Sequence, residues 1–187
     1  MDLEAEILKE HSKRQTVRIA RWIGPDKRRF RQLMELLLHG DRLVTQRAAW
    51  ILTYCYESHP QLVTPWLQDL LKKMQEPDVH DALKRNVVRL LACADIPQPL
   101  LGIVVSLCFD YLNSVDAPIA VKVHAMTVIE NVAKHEPDLR HELRTTIELM
   151  LPYVGPALHA RARIILKRLE RLKNHRQADS RRTPRRG

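Results

Sequence analysis

The sequence predicts an all-α protein built as an α-solenoid, with about four helix pairs in series behind a leading helix. Three observations predict it. First, one arrangement, an apolar run, a proline and a second apolar run, occurs three times. It reads RAAWILTYCYESHPQLVTPWLQDLL from Arg47, RNVVRLLACADIPQPLLGIVVSLCFDYL from Arg85 and KVHAMTVIENVAKHEPDLRHELRTTIELML from Lys122. Second, the 187 residues include only 5 glycines, and no Asn-Gly or Asp-Gly pair marks a tight hairpin. Third, Leu, Ala, Arg and Glu are abundant, and these are helix formers.

The leading helix is expected over about 3–22, where charged and apolar residues alternate at helical spacing. Pairs then follow at 27–38/43–58, 61–75/80–94, 98–113/117–134 and 138–151/156–174. Pro25, Pro60, Pro97 and Pro137 punctuate them. Proline fits the first turn of a helix and forces the residue before it out of the α region, so each marks a sharp turn. Within the second pair, Leu67, Leu70, Leu71 and Met74 form one apolar stripe, and Leu83, Val87, Leu90, Leu91 and Ala94 form another. In the last helix Leu158, Ala162, Ile165, Leu169 and Leu172 face inward, while Arg163, Lys167, Arg171 and Asn174 line the other side. A single pair cannot bury its apolar face, so stacking supplies the core. This domain is expected to cover 1–174, with a basic, disordered tail at 175–187.

The basic residues that open the second helices, Arg47, Arg85, Lys122 and Arg161, are spaced by 38, 37 and 39 positions. An acid precedes three of them by six or seven: Asp41, Asp78 and Asp116. Gly155 and Pro156 occupy that loop in the fourth unit. A period near 38 is longer than ankyrin or tetratricopeptide repeats, and their signatures are absent. The pattern resembles HEAT repeats over roughly 26–173, best in LQDLLKKMQEPDVHDALKRNVVRLLACADI from Leu67 to Ile96. The resemblance implies a right-handed, HEAT-like solenoid. It also implies a structural ladder in which Asp41, Asp78 and Asp116 bridge to Arg47, Arg85, Lys122 and Arg161.

Charge is uneven. Residues 161–187 carry 11 basic against 2 acidic side chains, whereas 32–160 carry 11 against 15. The basic end offers a polyanion-binding set: Arg163, Lys167, Arg171, Arg181, Arg182, Arg185 and Arg186. Cys55, Cys93 and Cys108 lie in apolar helical runs without a spacing motif and are expected to be buried and reduced. The charged N-terminus holds no signal-peptide core, and no apolar run reaches membrane-spanning length. A cytoplasmic protein is expected.

Chemistry-bearing motifs are sparse. The nine histidines show no metal-ligand spacing, and no nucleophile elbow or phosphate-binding loop occurs. Catalytic residues, metals, cofactors and a small-molecule substrate are not expected. Trp50 and Trp66 are read as core. Some HEAT-like DNA glycosylases handle bases with tryptophans and an aspartate, which makes these two the residues to watch. The leading expectation is a non-enzymatic scaffold that binds a protein or peptide on a curved surface. The alternative is a nucleic-acid-binding protein that uses its basic ends.

Overall fold

The computed structural model describes the backbone of residues 1–180 and the side chains as far as Leu172. The protein is 81% helical, and no strand occurs among the described residues. Two compact units form, one over Met1–Val104 and one from Val105 onward.

In the first unit, two helices replace the expected leading helix: α1 (Leu3–Lys9) and α2 (Lys13–Ile23). Glu10 turns extended (φ −152°, ψ 139°), and the Ser12 hydroxyl accepts the Gln15 N–H at 3.1 Å to start α2. Serine is a strong N-cap, and here that local preference interrupts the helical pattern. The leading segment is therefore itself a pair. Gln15 fastens it by donating to both the carbonyl and the carboxylate of Glu6, at 2.8 Å each. The bond from Gln15, then the nearby charges of Arg18 and Lys9, hold the Glu6 carboxyl below its usual range.

Helices α3 (Lys27–His39) and α4 (Arg42–Ser58) follow. Gly24 closes α2 at φ +50°, a conformation that a side chain would strain. Asp26 caps α3 by accepting the N–H groups of Arg29 and Arg28, which lowers its pKa. The expected helix at 61–75 is divided into α5 (Pro60–Val63), a 3-10 turn (Thr64–Trp66) and α6 (Leu67–Met74). Pro65 has no N–H to continue the ladder, so the turn tightens there. Helix α7 (Asp81–Leu91) stops three residues short of expectation. The Cys93 and Ala94 N–H groups both bond to the Leu90 carbonyl, which winds the chain out of the helix.

Helix α4 is the centre of this unit and packs against α2, α3 and α7. Ile19, Ile23, Phe30, Leu33, Met34, Leu37, Leu52, Leu67, Leu70, Val87 and Leu91 are buried. Each buried aliphatic side chain contributes roughly 1.5–3 kcal/mol. The stripes read from the sequence are thus the core, except that Ala94 lies beyond α7 and is half-buried.

The unit boundary falls within α8 (Leu101–Asn113), which a 3-10 turn at Gln98–Leu100 introduces. The second unit continues with α9 (Ile119–Ala133), α10 (Pro137–Met150), a 3-10 turn at Leu151–Tyr153 and α11 (Pro156–Ser180). Helix α11 runs six residues past its expected end. Helix α9 packs against both α10 and α11 around Val121, Ala125, Ile129, Ile147, Leu158, Ala162 and Ile165, all buried. Leu169 is buried as expected, and Leu172 is half-buried.

One capping device occurs in both units. Arg29 donates to the Trp22 carbonyl at 2.6 Å, and Arg140 donates to the Ala133 and Lys134 carbonyls at 2.6 Å each. In each case an arginine just after a Pro-Asp turn reaches back to the open end of the helix before it. Such carbonyls have no partner within their own helix, and a cation there also opposes the helix dipole.

Candidate macromolecule-binding face

Helices α2, α4 and α7 lie side by side in the first unit, with α4 between the other two. Each presents a solvent-facing stripe at helical spacing. On α2 the stripe is Lys13, Arg14, Arg18 and Arg21, all exposed, around a half-buried Val17. These five residues line a shallow groove of about 550 Å³. On α4 it is Leu43, Gln46, Arg47, Trp50 and Tyr54, and on α7 it is Arg85 and Arg89.

The middle stripe is aromatic. The His11 ring sits 5.2 Å from Trp50 at 56°, and Trp50 sits 6.5 Å from Tyr54 at 51°. These tilted contacts suit the ring quadrupoles and hold three rings in a row. Both Trp50 and Tyr54 are half-buried, so each keeps an accessible edge. The sequence reading of Trp50 and Trp66 as core is corrected here: both are half-buried. Trp50 lies on the outward side of α4, and Trp66 lies in the 3-10 turn, outside the regular stripe of α6. Neither indole N–H donates to a carboxylate among the described residues.

Acidic neighbours offset much of the charge on this face. Arg14 pairs with Glu10 at 3.6 Å, Arg18 pairs with Glu6, and Arg89 pairs with Glu57 at 3.0 Å. Lys13, Arg21 and Arg85 have no ion pair with a described residue. The face is an aromatic row bordered by mixed charge, with a modest basic excess.

The seven residues of the expected ladder do not assemble into one. Arg47 donates to the Ile7 and Leu8 carbonyls, at 3.1 and 2.7 Å, and so caps α1. Arg161 donates to the Thr127 hydroxyl at 2.6 Å and lies 4.0 Å from Glu130. Arg85 is exposed, and Lys122 is buried, both without a described ion pair. The acids take other places, and the Asp41 side chain makes no capping bond. Asp78 adopts φ +59°, a left-handed turn conformation that aspartate tolerates, and Asp41 stands at the N-cap of α4. Asp116 is exposed before α9. No ion pair joins these three acids to the four basic residues among the described residues.

What fastens the second unit lay outside the sequence reading. Glu130 on α9 is buried, and Arg168 on α11 donates to both its oxygens at 3.3 Å. The signal was available as Arg161 and Arg168, one helical face apart by seven, opposite a glutamate in an otherwise apolar run. The His80 Nδ1 accepts the Ala82 N–H at 3.0 Å and caps α7. Of the polyanion-binding set, Arg163, Lys167 and Arg171 are exposed in a line on α11. Arg181, Arg182, Arg185 and Arg186 lie outside the described residues.

The cysteines divide. Cys55 and Cys108 are buried, and desolvation pushes each thiol up to about 12. Cys93 is exposed, against expectation, because α7 ends before it. Among the described residues no three His, Cys, Asp or Glu side chains stand close enough to hold a metal ion. No described helix is long and apolar enough to cross a membrane.

The family model for the HEAT repeat domain matches residues 3–169. Comparison with curated proteins and with solved structures returned no match. HEAT repeats are generally protein-interaction scaffolds and are typically non-catalytic. Serial helix pairs, a period near 38 residues and a match across both units lead to one assignment: the chain belongs to the HEAT repeat family, with its all-α solenoid fold.

Proposed function

We propose that the protein is a non-enzymatic scaffold that binds another protein or a peptide through the outward face of α2, α4 and α7. The observation that carries this reading is the half-exposed row His11–Trp50–Tyr54, flanked by arginine-bearing helices. Tryptophan, tyrosine and arginine are the residue types that dominate interface energetics. Ion pairs within the face leave it a modest positive excess, which suits a partner of mixed or slightly acidic character.

The test is quantitative co-purification from the native cell. The wild type is compared with Trp50→Ala, Tyr54→Ala and, as a control outside the first unit, Ile164→Ala. Both aromatic variants should lose the same partner, and the control should keep it. A partner set unaffected by either aromatic change would overturn the reading.

A second reading has one specific observation in its favour. Arg163, Lys167 and Arg171 form a basic line on α11 with no ion pair to a described residue, upstream of the arginines at 181–186. That line suits the backbone of a nucleic acid, and binding would weaken by about 0.9 in log–log slope for each phosphate contact. A salt titration of duplex binding by the full chain and by a chain ending at Asn174 tests it. Salt-independent or absent binding overturns it.

A further inference from the structure

Lys122, read from the sequence as one rung of a ladder, is instead buried at 9% exposure and makes no hydrogen bond or ion pair through its ammonium with any described residue. Its stem is packed, but its ammonium is not among the buried polar atoms that lack a partner and opens on to a cavity instead. Lys122 lines a pocket of about 320 Å³ in the second unit, formed by the end of α8, the start of α9 and the end of α10 with its 3-10 turn. The other walls are mainly apolar: Leu112, Val115, Leu149, Met150 and Tyr153. The volume is at the lower end of the range for ligand sites, in which apolar walls surround a few polar groups.

The rim is unusual for a face left to water. Val115 is 92% exposed, Leu149 69% and Tyr153 88%. They come from two segments, the loop after α8 and the end of α10, and both border the pocket that holds Lys122. A clustered apolar rim around a recessed, accessible cation calls for an occupant that is apolar at its edges and anionic at its centre.

We infer that this pocket docks a segment of another protein in which an internal Asp or Glu is flanked by aliphatic side chains. The carboxylate meets the Lys122 ammonium inside the pocket. The flanking side chains cover Val115, Leu149 and Tyr153. Charge complementarity commits the site to an acid, and the apolar rim on both segments commits it to a chain that passes through with an apolar residue on either side. The inference is independent of the face on α2, α4 and α7, because every residue it uses lies in the second unit.

Three peptides serve as probes: acetyl-Gly-Leu-Asp-Leu-Gly-amide, its Asn counterpart, and acetyl-Gly-Gly-Leu-Leu with a free C-terminal carboxylate. Binding to the full chain is followed by methyl NMR at Val115, Leu149 and Val154. The Asp peptide should shift these signals and bind more tightly than the Asn peptide, by roughly tenfold to a hundredfold, the value of a charge-assisted bond. Lys122→Met keeps the aliphatic stem and should reduce that ratio to about one. A fold defect alone would weaken both peptides and leave the ratio in place. Leu149→Ser, at an exposed position, should weaken both peptides together. Equal binding of the Asp and Asn peptides, a ratio that persists in Lys122→Met, or no shift at millimolar peptide would each overturn the inference. Binding by the free-carboxylate peptide alone would also overturn it, since the occupant would then be a chain terminus.

Discussion

The two units fasten neighbouring helices by different means. In the first, cations and hydroxyls reach backbone carbonyls: Arg47 to Ile7 and Leu8, Arg29 to Trp22, and the Tyr56 hydroxyl to Cys93. The second keeps one such cap, Arg140 on the Ala133 and Lys134 carbonyls, but its distinctive fastening is a buried carboxylate, Glu130 on α9, held by Arg168 and approached by Arg161. The difference shows what the repeat specifies. The basic residue recurs at the same register in every unit, but its partner is set by whichever neighbour the local packing supplies. Arg47 finds helix-end carbonyls, Arg161 finds a hydroxyl and a carboxylate, Arg85 finds water and Lys122 finds a pocket.

Thiol chemistry should give the largest contrast. A thiol held at about 12 is thiolate in roughly one molecule in ten thousand at pH 8, and only the thiolate reacts. Cys55 in the first unit and Cys108 in the second should therefore label together and slowly. Cys93, exposed on the turn after α7, should label fast. Mass spectrometry after brief alkylation of the native protein reads this directly. Rapid labelling at Cys108 alone would mean that the second unit opens far more readily than the first.

Among stability changes, Glu130→Ala should be the most costly. Its side chain is 4% exposed, and its loss leaves Arg161 and Arg168 without their carboxylate. The Arg161 Nε is already buried without a partner, so nothing nearby replaces the lost charge. Breaking a fully buried pair from one side costs about 3–5 kcal/mol, but Arg168 is 53% exposed and water takes back part of its charge, so about 2–4 kcal/mol is expected. Urea unfolding should show that loss, and a change below about 1 kcal/mol would mean the carboxylate does not hold α9 to α11. Arg47→Ala comes next, at about 1.5–3 kcal/mol, because two carbonyls at the end of α1 lose a charged donor. Arg47→Lys should recover part of it. If Arg47→Ala matched or exceeded Glu130→Ala, the carbonyl caps would be the stronger fastening and the ranking of the two units would reverse.

The fold was legible in the sequence because it rests on apolar periodicity and proline spacing, which report burial directly. Leu67, Leu70, Leu71 and Met74 occupy the core as their spacing requires. The break between α1 and α2 was less visible, since it depends on Ser12 as a cap against an otherwise continuous helical pattern. The ladder failed for a different reason. Spacing between Asp78 and Arg85 shows that a pair is within reach, but it does not show that Asp78 is committed to a left-handed turn. The aromatic row failed similarly: Trp50 reads as core by residue type, and only the exposure of one side of α4 places it at the surface. Partners across helices are not periodic, so Glu130 with Arg168 left only a faint trace in the sequence.

The smallest expected effect is the sharpest test of that lesson. Arg85 stands at the same register as Arg47, so a repeat-wide ladder requires both to matter. In the structure Arg85 is exposed and has no ion pair with a described residue, whereas the half-buried Lys73 pairs with Glu76 at 2.7 Å. Surface substitutions away from special contacts change stability by about 0.5 kcal/mol or less, and exposed ion pairs contribute less than about 1. Arg85→Ala should thus fall within about 0.5 kcal/mol of wild type, at or below the effect of Lys73→Ala, while Arg47→Ala is clearly destabilised. Unfolding curves of the three variants under one set of conditions decide the matter. A loss at Arg85 comparable to that at Arg47 would restore the ladder and make the register itself the fastening. The predicted near-silence of Arg85 leaves its charge on the α7 side of the aromatic row, where a partner rather than the fold would register its removal.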